Sequence, residues 1–352
     1  MNITVKFISV YALVVLLLIS CRPDGKTPFK TIDMAGKKDT LFPTMVDFST
    51  FHNTDFVPTL EHDLQQNRNA IYVTSLGYTW NEAKRRVNGP VMIDKNNLDL
   101  WMLDHSVASC DALKAGEYQS SVKVEGLSMS IRTTFSKALP FKVKMQSFEH
   151  KLKFNGVPVA AFGIEGYFFE IAAMIDILYY ENDSNFIIRL DGKDSTQEIV
   201  LCRSTKPLTT MAGLLKQIQE NTEKGKKERR MEYKEWRYSI NDSDELIIPR
   251  LRFNINHHYT SLENKSFSAG DVAYTITEVS GHTAFVLDQY GALVEEDLLF
   301  LMEAAMMPEG YEEPKPKKMR FDKPFFVMMK RKDCNTPYFG MWVADSELMI
   351  KE

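Results

Sequence analysis

Short apolar runs separated by polar turn segments dominate the chain, and their lengths favour strands over helices. Residues 70–78 (AIYVTSLGY) read as a strand. Residues 79–87 (TWNEAKRRV) read as a helix, with Thr79 as the capping residue and Glu82 three positions on. Residues 120–134 alternate apolar and polar positions, and 141–156 and 158–172 are also extended. Two apolar runs at 174–180 and 185–190 flank small polar residues, which predicts a hairpin. In 207–220, Met211, Leu214, Leu215 and Ile218 fall at helical spacing. Residues 245–256 read as one strand, with Pro249 placing it at an edge or at a strand start. Further strands are expected at 283–288 and 324–330, so the pattern predicts an α+β chain dominated by sheet.

The segment 224–237 (KGKKERRMEYKEWR) is dense in charge, but Glu228, Glu232 and Glu235 neutralise it, so it reads as a solvated linker. Over all 352 residues, 43 Lys and Arg stand against 47 Asp and Glu, a formal charge of −4. That lacks the basic excess of a nucleic-acid binder, and no nucleic-acid partner is expected.

The N-terminus changes the picture more. Lys6, then the apolar run from Phe7 to Ile19, then Ser20 and Cys21 have the proportions of a secretory signal. The run is short for a bilayer span. Its ending, Leu18-Ile19-Ser20-Cys21, resembles a bacterial lipoprotein signal, which implies cleavage before Cys21 and acylation of its thiol. Residues 1–20 are then a signal, 21–44 a polar tether, and 45–352 one domain held at the cell envelope outside the cytoplasm. Cys110, Cys202 and Cys334 remain; one disulfide at most can form, and three buried thiols are the reading preferred.

Signatures of catalysis are absent from the sequence. The seven histidines form no HExxH pair, and there is no Cys-x-x-Cys, G-x-S-x-G or Walker glycine loop. His257 and His258 are adjacent, so a strand points them to opposite faces and they cannot chelate one metal. Asp104-His105 offers a charge pair without a nucleophile. No metal, cofactor or enzyme activity is expected.

One segment stands apart. Residues 291–320 form a long Pro-, Glu- and Lys-rich connection between two strands, a feature that is rare in a compact domain unless it is functional or disordered. After it come Phe321, Pro324 and Phe325, then Pro337, Phe339 and Gly340. This pattern resembles the chain end of serpins, F-x-x-P-F-x-F, a turn, then P-x-F-x-G-x-V. Upstream, His282 to Val286 followed by Gly291 resembles the strand entering the serpin reactive loop. Ile248-Pro249-Arg250-Leu251 with Tyr259 to Leu262, Val157-Pro158-Val159, the 174–190 hairpin with Asp191-Gly192, and Phe135-Ser136-Lys137 with Pro140-Phe141 resemble further serpin stretches in the same order. The resemblance covers about residues 120–349.

It implies a serpin-like α+β fold, mainly antiparallel sheets with a reduced helical N-terminal part and an exposed reactive-type loop. It also implies a partner protease, serine or cysteine, that cleaves the loop, which then inserts as a sheet strand and traps the enzyme. The hinge would be Gly291, Ala292, Leu293, Val294, Glu295, Glu296 and Asp297, and the candidate scissile region Ala304, Ala305, Met306 and Met307. Family hinges use small residues (G-T-E-A-A-A-A-T). Here three consecutive carboxylates occupy the hinge, and with period two at least one faces the buried side on insertion. The alternative is therefore a non-inhibitory serpin-fold binding protein, cut as a substrate.

Overall fold

The computed structural model describes residues 42–106, 112–114, 116–206, 209–291 and 315–352, all within a unit running from Asp39 to Glu352. Along the chain come β1 (Val46–Asp47), β2 (Thr54–Val57), β3 (Asn69–Val73), α1 (Ser75–Arg85), β4 (Val91–Met92) and α2 (Leu98–His105). Two hairpins follow, β5 (Tyr118–Glu125) with β6 (Ser128–Ser136) and β7 (Gln146–Phe154) with β8 (Val157–Glu165). Then come α3 (Phe169–Ala172), β9 (Ile175–Asn182), β10 (Asn185–Asp191), β11 (Gln197–Arg203) and α4 (Met211–Glu228). The last part holds β12 (Glu245–Pro249), β13 (Leu251–His258), β14 (Lys265–Ala269), β15 (Val272–Leu287), β16 (Lys318–Arg320), β17 (Phe325–Arg331) and β18 (Phe339–Val343). The α+β class with few helices is as the pattern predicts.

The strands form three sheets. In the first, β15 is central: β13 pairs antiparallel along its second half, β14 along its first, and β6 runs parallel on its other flank with β5 outside. The second runs β2-β3-β18-β17-β11-β10-β9, and the third β16-β12-β8-β7. The main apolar core lies between the first two sheets, where Phe339 of β18 stacks on Phe285 of β15 at 4.7 Å between centroids. A second cluster forms where α4 lays Met211, Leu214 and Ile218 on the opposite face of the second sheet, against Val200, Phe326 and Met328. That sheet is therefore buried on both faces, which is why β10, β17 and β18 read as continuous apolar runs.

Several expectations need correction. The strand at 70–78 ends at Val73, and α1 starts at Ser75, before Thr79. Thr79 does not cap; it is buried inside the helix and its hydroxyl donates to Ser75 O at 2.8 Å. The single strand at 245–256 is two strands in two sheets, with the chain crossing at Pro249–Arg250. β12 lies between β8 and β16, so it is not an edge; Pro249 is tolerated because it closes the strand. The linker at 224–237 is structured: α4 runs on to Glu228 and a 3₁₀ turn follows at Glu232–Tyr238. Buried Glu228 accepts from Lys234 at 2.9 Å and from Tyr238 Oη at 3.0 Å, which uses the local charges internally. The irregular connection at 291–320 is shorter than expected, because Lys318–Arg320 is a strand.

The cysteines also differ from the preferred reading. Cys334, in the turn after β17, is disulfide-bonded, with its partner outside the described residues. Cys202 faces the α4 cluster from mid-strand and stays a buried thiol, its pKa pushed up to about 12 by burial. His257 and His258 do point to opposite faces of β13, one buried and one exposed.

Candidate functional site

The loop leaves the first sheet at a turn that only glycine can close. After β15, Asp288 and Gly291 exchange backbone bonds of 3.0 and 3.4 Å, and Tyr290 N donates to the Asp288 carboxylate at 2.9 Å. Burial raises the pKa of that carboxyl. Gly291 has φ +82°, and a Cβ there would sit 2.5 Å from Phe141 N and 2.7 Å from Leu139 O. Both the left-handed backbone and the contact exclude a side chain.

The partner of this turn is the Pro140–Phe141 segment. Phe141 N donates to Tyr290 O at 2.9 Å, and Met145 N to Gln289 O at 2.8 Å. On its other side Phe141 bridges Gly192, and Lys193 N donates to Pro140 O at 2.7 Å. A Cβ on Gly192 would come 2.9 Å from Pro140 O. Three stretches distant in sequence, 140–141, 191–193 and 290–291, thus meet at the root of the loop.

Below this root β6 and β15 run parallel from Thr275↔Ser128 to Ala284↔Ser136, with an irregularity at Thr277, whose hydroxyl donates to Met129 O at 3.1 Å. Their inner faces carry Met129, Ile131, Phe135, Ile276 and Val279, all buried and apolar. Their outer faces carry polar groups such as Ser130, Arg132, Ser280 and His282.

Histidines join β13 to β15 on both faces. On the inner side His257 stacks on Phe56 and its Nε2 lies 3.1 Å from Thr283 Oγ1. Gly281 makes room for it, since a Cβ there would lie 2.4 Å from the ring. Burial, then the charges of His282 and His258, hold the His257 pKa well below 6.5. On the outer side His282 Nε2 lies 2.6 Å from Asn254 Oδ1. Asn254 Nδ2 donates to Pro43 O, so its oxygen faces the ring and the His282 proton sits on Nε2. Burial lowers the His282 pKa, with Arg132 adding to the effect.

The loop returns into a different sheet. Lys317 is fully buried; its Nζ lies 2.6 Å from Asp244 and donates to Trp236 O at 3.0 Å, while its N–H donates to the other Asp244 oxygen at 2.7 Å. Burial lowers the Lys317 pKa against the opposing pull of Asp244. β16 then pairs parallel with β12, and Arg320 grips Glu245 with two bonds of 2.5 and 2.9 Å.

Of the residues singled out from sequence, Gly291 sits at the loop root as expected. Phe321, Phe325 and Phe339 are fully buried, with Phe321 packed on Phe186 and Phe325 at 5.0 and 4.9 Å. Pro337 is buried in the turn before β18, and Gly340 lets Phe326 and Met211 approach to 3.2 and 3.4 Å of where a Cβ would be. These are frame residues behind the loop; Pro324 borders a separate cleft. Cys21, Ala292, Leu293, Val294, Glu295, Glu296, Asp297, Ala304, Ala305, Met306 and Met307 lie outside the described residues. Asp104 takes bonds from Trp80 and Lys84 at 2.9 Å each, and His105 turns to Trp101 O, so that pair forms no catalytic dyad. The loop-return pair Lys317–Asp244 had no signal in the sequence.

No protein-family model and no curated protein matches this chain. Solved structures do. A serpin from Manduca sexta, serpin-12, aligns at 12% identity over 63% of this chain and 57% of its own, with TM-score 0.38. The thermophilic serpin tengpin in its native state aligns at 13% identity over 62% and 55%, TM-score 0.37. Human kallistatin aligns at 16% identity over 62% and 56%, TM-score 0.35. The chain thus spans just over half the length of these serpins, and at such identities the likeness concerns the fold alone.

Proposed function

We propose that the chain is a serpin-like protein that offers residues 292–314 to a serine or cysteine protease, and that it acts as an inhibitor or binding protein rather than an enzyme. One observation carries this reading. Three of the stretches that resemble serpin motifs, 140–141, 191–193 and 290–291, meet at the root of the loop, with Phe141 clasped between Gly192 and Gly291. The chain leaves the first sheet after β15 and enters the third at β16, so the loop connects two sheets.

The strand order also supports insertion. A segment turning back from Gly291 runs antiparallel to β15. β13 already occupies one flank, so the open choice is between β15 and β6. A strand there replaces one parallel contact with two antiparallel ones, which are somewhat more stable per residue. β5 has no outer strand neighbour among the described residues, so the β5–β6 hairpin would shift together with α1, to which Ser120 bonds through Glu82 and on which Tyr118 packs against Tyr78.

A second reading is favoured by Glu295-Glu296-Asp297. A carboxylate entering the inner face there meets Met129, Ile131, Phe135, Ile276 and Val279. An unpaired buried carboxylate costs several kcal/mol, which slows insertion and leaves a cleaved substrate. Incubation with a panel of serine and cysteine proteases, followed by a denaturing gel, separates the two. A band that survives denaturant supports trapping, and clean cleavage without one overturns it.

We further propose that acylated Cys21 and the tether hold the domain at the cell envelope. Metabolic labelling with a fatty acid tests this, and Cys21→Ala should abolish the label.

A further inference from the structure

Away from the loop root, a cleft of about 460 Å³ opens between the end of β11, the Lys323–Pro324 turn before β17, and Trp342 of β18. Its walls are cationic. Arg203 is fixed in place, donating to Arg320 O and pairing with Asp322 at 2.7 Å. Lys206 and Lys323 also line the cleft, and neither ammonium has an acidic partner among the described residues. Three cations against Asp322 leave two positive charges uncompensated.

The floor is formed by Trp342 and Ser204. Trp342 lines it at 8% exposure, and its indole Nε1 is buried with no hydrogen-bond partner among the described residues. Ser204 adds a hydroxyl: its oxygen accepts from Gln217 Nε2 at 2.9 Å and from Lys206 N at 3.2 Å, which leaves its hydrogen free to donate.

We propose that this cleft binds a small oxyanion ester, a phosphate or sulfate monoester of sugar size. Two uncompensated lysines and a fixed arginine match the charge of such a group, and charge-assisted bonds from lysine and arginine are the strong ones. The Ser204 hydroxyl supplies a neutral donor, and the side chain of Trp342 lines the cleft beside it. The volume falls within the range of small-molecule sites. The site stands apart from the loop and does not depend on protease binding.

Titration calorimetry and tryptophan fluorescence test it on the full chain. The probes are inorganic phosphate, glucose 6-phosphate and N-acetylglucosamine 6-sulfate, with glucose as the neutral control. At least one ester should bind saturably at one site per chain, and the tighter of the two identifies the source. Lys206→Met with Lys323→Met should weaken binding about tenfold or more, the scale of two lost charged hydrogen bonds. Trp342→Phe should weaken it less and abolish the fluorescence change. The lysine variant alters only surface positions and is checked for an unchanged melting temperature, so it decides the matter if Trp342→Phe folds poorly. Absence of saturable binding, equal binding of glucose, or unchanged affinity in the double lysine variant overturns the proposal.

Discussion

Lys317 Nζ sits 2.6 Å from Asp244, and neither side chain reaches solvent. The pair fastens the chain where the loop re-enters the third sheet, because Asp244 also accepts from Lys317 N and precedes β12. Its remaining bond goes to Trp236 O, in the 3₁₀ turn. Loop return, β12 and the 3₁₀ turn are thus one unit.

Asp244→Leu should destabilise the protein strongly, because it leaves an ammonium buried without its counter-ion. Breaking a buried pair in this way costs about 3–5 kcal/mol, while replacing both partners by apolar groups is often near neutral. Urea unfolding checks the cost, and Lys317→Met combined with Asp244→Leu should recover most of it. A single variant within about 1 kcal/mol of the parent would show that the pair does not hold the return segment.

Gly291→Val should loosen the loop root. A β-branched residue at φ +82° is strained by about 1–3 kcal/mol, and its Cβ would press on Phe141 N and Leu139 O. A lower melting temperature and faster hydrogen exchange at Phe141 N, which donates to Tyr290 O, are expected together. A variant that melts normally and keeps that amide protected would refute the tight seat.

How much of this was legible in sequence depended on whether the signal was local. Gly291, Phe321 and Phe325 stood out because turn glycines and apolar spacing are read within a few residues. Lys317 did not: it lies in the run Lys315-Pro316-Lys317-Lys318, which looks solvated, and its partner Asp244 is 73 positions away. The sheet change at Arg250 was hidden because apolar residues continue across it, Leu246 to Ile248 before it and Leu251, Phe253 and Ile255 in alternation after it. Trp342 reads like any core aromatic of β18, since an indole N–H without a partner among the described residues leaves no trace in composition.

Stability should fall as pH drops below about 6.5, the ordinary histidine pKa. His257 is held well below that value, chiefly by burial, so the unfolded chain takes the proton first. Its contribution is complete above about 6.5 and declines by about 1.4 kcal/mol per pH unit below it, until the folded pKa is reached. His282 acts in the same direction, weakened by its greater exposure to solvent. His62 opposes both: the Asp99 hydrogen bond raises its pKa, so its contribution is present below 6.5 and is lost as pH rises through the folded value. Urea unfolding from about pH 5 to about pH 8 should show a shallower acid limb in His257→Met. An unchanged limb would assign the acid sensitivity elsewhere.

The acidic hinge should set the fate of a bound protease. If Glu295, Glu296 and Asp297 delay insertion, replacing all three with alanine removes the carboxylate that would meet Met129, Ile131 and Phe135. The parent should then be cut mainly as a substrate, and the triple variant should give a larger fraction of complex stable to denaturant. Melting of the cleaved proteins supplies a second readout, because two new antiparallel contacts in the first sheet raise the transition temperature whether or not a protease is held. A cleaved triple variant that melts no higher than its uncut form would mean that β6 and β15 stay paired after cleavage. The serpin-like resemblance would then extend to the framework and not to the insertion step. A cleaved parent that already melts higher, with no trapped enzyme, would place the failure in speed rather than in stability, which is the outcome the three carboxylates predict.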